Sequence, residues 1–239
     1  MTSDGAITVL DATLRDGGYL NDWAFTYDEI RRVVVGLDAV GIDVIEVGYA
    51  SDEPHQPLAA ACPVPLLSDL RAAIGRARIA VMMRPDVPDP EGLLDARRDL
   101  IDLVRIPTQV LKPEPAIAIA RLVEERGIAS SINLTSVSAF SDHELRDAVR
   151  SIAIAGVESC LYLADSRGAM KPEDVSHAVG LVRDEWPGAV GFHAHDNLGL
   201  ALENSETALA AGCTWIDGSL NGYGIGGQNT RLSALVELV

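Results

Sequence analysis

The sequence predicts a (β/α)8 barrel, an α/β TIM barrel forming a single domain over residues 1–239, and two observations carry that prediction. Eight short apolar runs begin near Ile7, Asp43, Ile79, Leu103, Ile128, Val157, Ala189 and Thr214, with amphipathic segments between them. Several of those segments close on a glycine just before the next apolar run, at Gly41, Gly127, Gly156 and Gly212. Glycine takes the left-handed conformation past a helix end without a Cβ penalty. Strands that alternate with helices pair in parallel, and eight such units suit a closed barrel better than a doubly wound sheet with fewer strands.

The elements have local reasons. Thr26 with Glu29, and Ser141 with Glu144, have capping-box spacing, and Pro172 suits a first helical turn. The last unit is cramped, since Thr230 to Val239 leaves ten residues for a short eighth helix. Polar residues gather where strands give way to loops. Arg15 and Asp16 follow the first strand, Glu46 is late in the second and Asn133 follows the fifth. Asp165 and Ser166 follow the sixth, His193 and His195 the seventh, and Asp217 to Asn229 the eighth. Packing alone does not put polar groups at one end of so many strands, and in such a barrel that end carries the chemistry. An enzyme is expected.

Composition narrows the setting. With 48% hydrophobic and 23% charged residues the chain suits one core, and its net charge of −16 excludes nucleic acid and anionic membrane as partners. The apolar runs are too short to span a bilayer, and Met1-Thr2-Ser3-Asp4 lacks the basic start of a secretory signal. Cys62, Cys160 and Cys213 are odd in number without a CxxC pair, which fits buried thiols in a reducing cytoplasm. In that setting the Asn133-Leu134-Thr135 sequon is incidental. The only lysines, Lys112 and Lys171, each precede proline in a loop, which argues against imine chemistry.

On a strand, His193 and His195 point to the same side, and Asp16 completes a set of divalent-metal ligands with open positions. Arg15 adds a fixed positive charge. Glu46, between Ile45 and Val47, points into the barrel; a buried carboxylate needs a partner, and Arg15 is the one expected, oriented by Glu46. The glycine-rich stretch from Gly222 to Gly227 follows the last strand rather than the first, so it is no dinucleotide fingerprint. It reads as a tight loop bringing backbone towards the metal site, with Asn229 at its end. Gly18 to Phe25 and Ser51 to Pro65 are expected to cover the site and select the substrate. Two histidines and a carboxylate also make the set of non-haem iron oxygenases, which use a different fold.

Four stretches together resemble the metal-dependent HMG-CoA lyase-like (DRE-TIM) lyase and aldolase barrels over nearly the whole chain. They are Asp11-Ala12-Thr13-Leu14-Arg15-Asp16-Gly17, Ile45-Glu46-Val47-Gly48, Leu163 to Met170 and His193-Ala194-His195-Asp196-Asn197-Leu198-Gly199. Asp217 to Asn229 follows the aldolase loop without the inserted Cys-Pro segment of the CoA-ester lyases, so the resemblance is closest to the 4-hydroxy-2-oxovalerate aldolases. It implies that Asp16, His193 and His195 bind Mn²⁺ or Mg²⁺ with Asn229 close by. It also implies that Arg15 stabilises the enolate oxygen of pyruvate; Asn133 and Asp165, from their place at strand ends, are expected to bind substrate. Tyr19 stands where the aldolases carry a histidine base; with a reference pKa near 10 it could serve as base, as proton donor, or only to bind substrate. Ser233 stands where an acidic residue is expected.

The implied reaction is metal-dependent cleavage or formation of a 4-hydroxy-2-oxo acid, with a small 2-oxo acid and an aldehyde as partners, in a cytoplasmic homo-oligomer. Aldolases that hand acetaldehyde to a dehydrogenase carry a further helical region after the barrel. This chain ends at Val239, so a dehydrogenase partner is not expected. The alternatives are a Claisen-type acyl-CoA condensing enzyme or lyase of the same superfamily, and a non-catalytic degenerate barrel, which Tyr19 would favour.

Overall fold

The computed structural model describes residues 6–225 and 227–239. The residues read for a missing signal, Met1 to Asp4, and Gly226 of the glycine loop lie outside the described residues. Eight parallel strands close into a barrel in chain order: β1 (Thr8–Asp11), β2 (Val44–Tyr49), β3 (Arg78–Met82), β4 (Leu103–Gln109), β5 (Ala129–Thr135), β6 (Cys160–Asp165), β7 (Val190–Ala194) and β8 (Trp215–Gly218). The helices are α1 (Thr13–Asp16), α2 (Tyr27–Val40), α3 (Leu58–Ala61), α4 (Val64–Ala73), α5 (Pro90–Arg97), α6 (Glu114–Glu124), α7 (Asp142–Ile154), α8 (Pro172–Glu185), α9 (Ala201–Ala210) and α10 (Leu232–Val236). No helix among the described residues is long and apolar enough to cross a membrane. Cys62, Cys160 and Cys213 are free and buried.

Seven of the eight apolar runs begin within one residue of a strand. The sixth differs: β6 starts at Cys160, not near Val157. Glu124 explains the delay, because its carboxylate accepts from the Glu158 amide at 3.0 Å and the Ser159 hydroxyl at 3.3 Å and so holds that segment off the sheet. Both expected capping boxes form, at Thr26 and Ser141. The helix-terminal glycines take left-handed conformations, for example φ 88° at Gly41.

The outward strand residues and the inner faces of the helices form the main core. Leu10, Val44, Leu103, Cys160, Tyr162 and Trp215 form a separate apolar cluster. Side chains on one face of a strand recur every second residue. One inward step beyond Val44, Leu103 and Trp215 therefore stand Glu46, Arg105 and Asp217. One step beyond Gly191 stands His193. Gly191 has no Cβ because one would lie 2.5 Å from the Tyr162 ring. An apolar floor thus carries a layer of charge.

Gly48 fixes a bulge in β2. The β2–β3 register shifts between Glu46 and Gly48, and a Cβ at Gly48 would lie 1.7 Å from the Ala59 carbonyl oxygen. Gly48→Ala is expected to lower the unfolding free energy in urea by about 1–3 kcal/mol. Gly36→Ala, on an exposed turn of α2 with nothing near the new Cβ, is expected to raise it by about 0.5–1 kcal/mol. Equal effects would contradict this account of the bulge.

Candidate functional site

The site grows from that charged layer. Asp11, at the end of β1, accepts from the Thr13 amide at 3.0 Å and the Thr13 hydroxyl at 2.6 Å, which fixes the start of α1. Burial pushes the Asp11 carboxyl up to about 7. The short turn of α1 then delivers Arg15 and Asp16, both buried. Arg15 Nε donates to Glu46 Oε2 at 2.8 Å, and its Nη1 to Asp16 Oδ1 at 2.5 Å. Burial alone would lower the Arg15 pKa, but Glu46 and Asp16 outweigh it and hold the guanidinium charged. Glu46 is fully buried and does not reach the cavity, so it acts by orienting Arg15.

Arg105 joins the two halves of the site. Its Nη1 donates to the same Glu46 Oε2 at 3.0 Å, and its Nη2 donates to Asp217 Oδ2 at 2.6 Å. Asp217 Oδ2 lies 3.1 Å from His193 Nδ1. Burial would raise the Asp217 carboxyl, but Arg105 and His193 bring it down to about 2. A carboxylate only accepts, so His193 Nδ1 carries a proton towards Asp217 and its Nε2 is turned to the cavity. On the other side, His195 Nδ1 donates to the Ile225 carbonyl at 2.7 Å, which leaves His195 Nε2 a lone pair.

The two Nε2 atoms lie 3.2 Å apart. Burial, followed by the His193 neighbour, lowers the His195 pKa to about 4, so that ring is neutral at pH 7. Asp16 offers a third ligand atom, all three within 4.8 Å of one another. Burial works to raise the Asp16 carboxyl, but Arg15 and both imidazoles hold it below its ordinary value. Asn229 Nδ2 donates to Asp16 Oδ2 at 2.9 Å, while its Oδ1 is buried without a partner. Gly224 passes over this corner: a Cβ there would lie 2.4 Å from Asn229 Nδ2 and 2.6 Å from Asp16 Oδ2. Two imidazole nitrogens, a carboxylate and an orphaned amide oxygen form a donor set that fits a divalent cation.

A cavity of about 170 Å³ opens on Arg15, Asp16, Tyr19, Tyr49, Asn133, His193 and His195. Asn133 is buried in its wall and accepts from the Ser131 hydroxyl at 2.8 Å. Asp165 is not brought to the cavity. Its two oxygens accept from the Ala169 and Met170 amides at 3.1 and 2.9 Å, so it ties down the loop between β6 and α8 while its neighbour Ser166 lines the cavity. Tyr19 reaches the cavity with its hydroxyl 2.6 Å from that of Tyr49. Burial raises the Tyr49 pKa, so Tyr49 keeps its proton beside the Tyr19 oxygen. Arg84 lies 5.1 Å from the Tyr49 ring centroid, and Trp23 packs against both tyrosines. Lys112 and Lys171 are exposed. Sequence reading passed over Arg105, Tyr49, Arg84 and the role of Asp217. For Arg105 the signal was present, an arginine inside the apolar run Leu103-Val104-Arg105-Ile106.

The HMGL-like family model matches residues 6–239. The chain is 32% identical over 238 residues to 4-hydroxy-2-oxovalerate aldolase of Geobacillus genomosp. 3, covering 98% of this chain and 70% of that one. It is also 32% identical over 231 residues to oxaloacetate decarboxylase of Mycobacterium tuberculosis, covering 95% and 68%. Among solved structures, the N-terminal domain of a Bacteroides vulgatus protein described as an aldolase superposes with TM-score 0.86 at 30% identity, covering 97% of this chain and 78% of that one.

If Asp217 orients His193, Asp217→Asn weakens Mn²⁺ binding by about 10–100-fold in isothermal titration. Unchanged affinity in a folded variant would contradict that role.

Proposed function

This chain belongs to the HMGL-like family and is a carbon–carbon lyase, and on that premise we propose that it is a divalent-metal-dependent aldolase cleaving or forming a 4-hydroxy-2-oxo acid. The observation that carries the reading is the pair of Nε2 atoms 3.2 Å apart, grouped with the Asp16 carboxylate beside a buried arginine. Asp16, His193 and His195, with Asn229 Oδ1, would hold Mn²⁺ or Mg²⁺. Bound there, the ion supplies a Lewis acid that favours the enolate form of a 2-oxo acid. Arg15, locked by Glu46, neutralises negative charge as it builds on the 2-oxo oxygen without having to move.

Tyr19 takes the proton of the 4-hydroxyl. As that proton leaves, the oxygen's electrons form the aldehyde C=O and the C3–C4 bond breaks. Its electron pair passes into the enolate of the 2-oxo acid, which is then protonated at C3. Aldehyde addition is the same sequence reversed. A negative charge on the Tyr19 oxygen would face the Tyr49 hydroxyl 2.6 Å away and the Arg84 cation beside the pair. The tyrosine therefore replaces a histidine base with help from two neighbours. Three buried free thiols suit a reducing cytoplasm.

Tyr19 also favours a second reading, decarboxylation of oxaloacetate, because CO₂ leaves across C3–C4 with no hydroxyl to deprotonate. Tyr19→Phe separates the two readings. For an aldolase it slows cleavage of a 4-hydroxy-2-oxo acid by about 10²–10⁴-fold while leaving any oxaloacetate turnover in place. Equal aldol rates in the variant would remove Tyr19 from the mechanism. Solvent deuterium is expected to enter the pyruvate methyl group with Mn²⁺ and not with excess chelator. Arg15→Lys should slow that exchange by about 10²–10³-fold. Exchange at full rate in chelator would overturn the metal-dependent reading.

A further inference from the structure

A second and larger cavity, of about 420 Å³, adjoins the first, and Tyr49 lines both. Its walls come from the loops after β2 and β3, with Trp23 and Tyr49 as aromatic surface. Because Tyr19 receives the proton from the C4 hydroxyl, C4 lies against the Tyr19–Tyr49 pair, and its substituent faces the wall shared with this cavity. The smaller cavity suffices for the 2-oxo acid. The larger one has room for an aldehyde arm far longer than a methyl group.

The polar lining says what that arm carries. Asp52 is paired with Arg97 at 2.8 Å, Glu53 Oε2 accepts from Gln56 Nε2 at 3.0 Å, and Asp89 accepts from the Gly92 amide at 2.9 Å. Arg84 stands beside the two tyrosine hydroxyls. Arg97 is itself buried and also donates to the Cys62 and Ser51 carbonyls at 3.1 and 3.3 Å, so the loop after β2 is braced from below. Asp52, Glu53 and Asp89 therefore have a countercharge or a donor within the protein, and Arg84 and Asp86 add one exposed charge of each sign. What they offer a ligand is a mixture of spare lone pairs and N–H groups, the complement of hydroxyls, which both donate and accept. The Trp23 and Tyr49 rings give apolar surface for the C–H side of the same chain.

Resting on the aldolase reading, we infer that this cavity binds the arm of a neutral, polyhydroxylated aldehyde, an open-chain aldose longer than acetaldehyde. The test incubates the Mn²⁺-loaded enzyme with pyruvate and glyceraldehyde, erythrose or ribose. Propanal, butanal and pentanal are the length-matched controls, succinic semialdehyde and an aminoaldehyde supply charged arms, and deuterium exchange into pyruvate is followed in parallel. The expected result is kcat/KM at least about tenfold higher for a hydroxylated aldehyde than for its alkyl counterpart and for either charged arm. Ala60→Trp, which fills the cavity, should lower the aldose-to-acetaldehyde ratio by at least the same factor. Should that variant fail to fold, the wild-type panel decides alone. Exchange with no preference, or with preference for an alkyl or charged aldehyde, overturns the inference and leaves the aldolase reading standing. No exchange and no aldol product overturns both.

Discussion

One buried guanidinium holds the site together. Arg105 has no solvent exposure, and its two terminal nitrogens meet different carboxylates, Glu46 and Asp217. An unpaired ion in such a place costs several kcal/mol, so the three charges are stable there only as a set. Each carboxylate then turns outward to a working group: Glu46 to Arg15, Asp217 to His193. The positions of the fixed cation and of a metal-ligand imidazole are thus set by the same interaction. The Arg105 guanidinium lies 4.4 Å from the Tyr162 ring centroid, and Gly191 makes room for that ring.

The barrel makes this arrangement possible because strand periodicity is rigid. The residues that fill the apolar floor fix, two positions later, which side chains enter the charged layer. The remaining ligand contacts come from loops, where backbone approach matters more than side chains. Gly224 leaves room over Asp16 and Asn229, and the carbonyl of Ile225 sets the protonated nitrogen of His195. Rigid strands supply Glu46, Arg105, His193 and Asp217, and loops close the site above them.

Strands and caps were legible in the sequence because they rest on local rules: apolar runs, capping-box spacing and helix-terminal glycines. The ligand set Asp16, His193 and His195 was legible because residue type and parity suffice to group it. Arg105 was not singled out, although the reasoning that gave Glu46 a partner applies to any charge inside an apolar strand. The Glu46–Arg105 and Arg105–Asp217 contacts cross 59 and 112 residues of chain, and no local pattern announces such pairs. Asp165 looked like a site residue because it ends a strand, but the amides four and five positions later claim it. The hydroxyl that meets Tyr19, that of Tyr49, lies at the end of β2, where an aromatic residue reads as core.

The central claim is that two imidazoles and one carboxylate, aligned by a shared arginine network, form a divalent-metal site beside Arg15. Anomalous diffraction from Mn²⁺-soaked crystals tests it most directly. The account predicts a single strong peak at about 2.0–2.3 Å from an Asp16 oxygen and from both Nε2 atoms of His193 and His195. A peak ligated elsewhere, or no peak there in crystals of an active, Mn²⁺-stimulated enzyme, would contradict it.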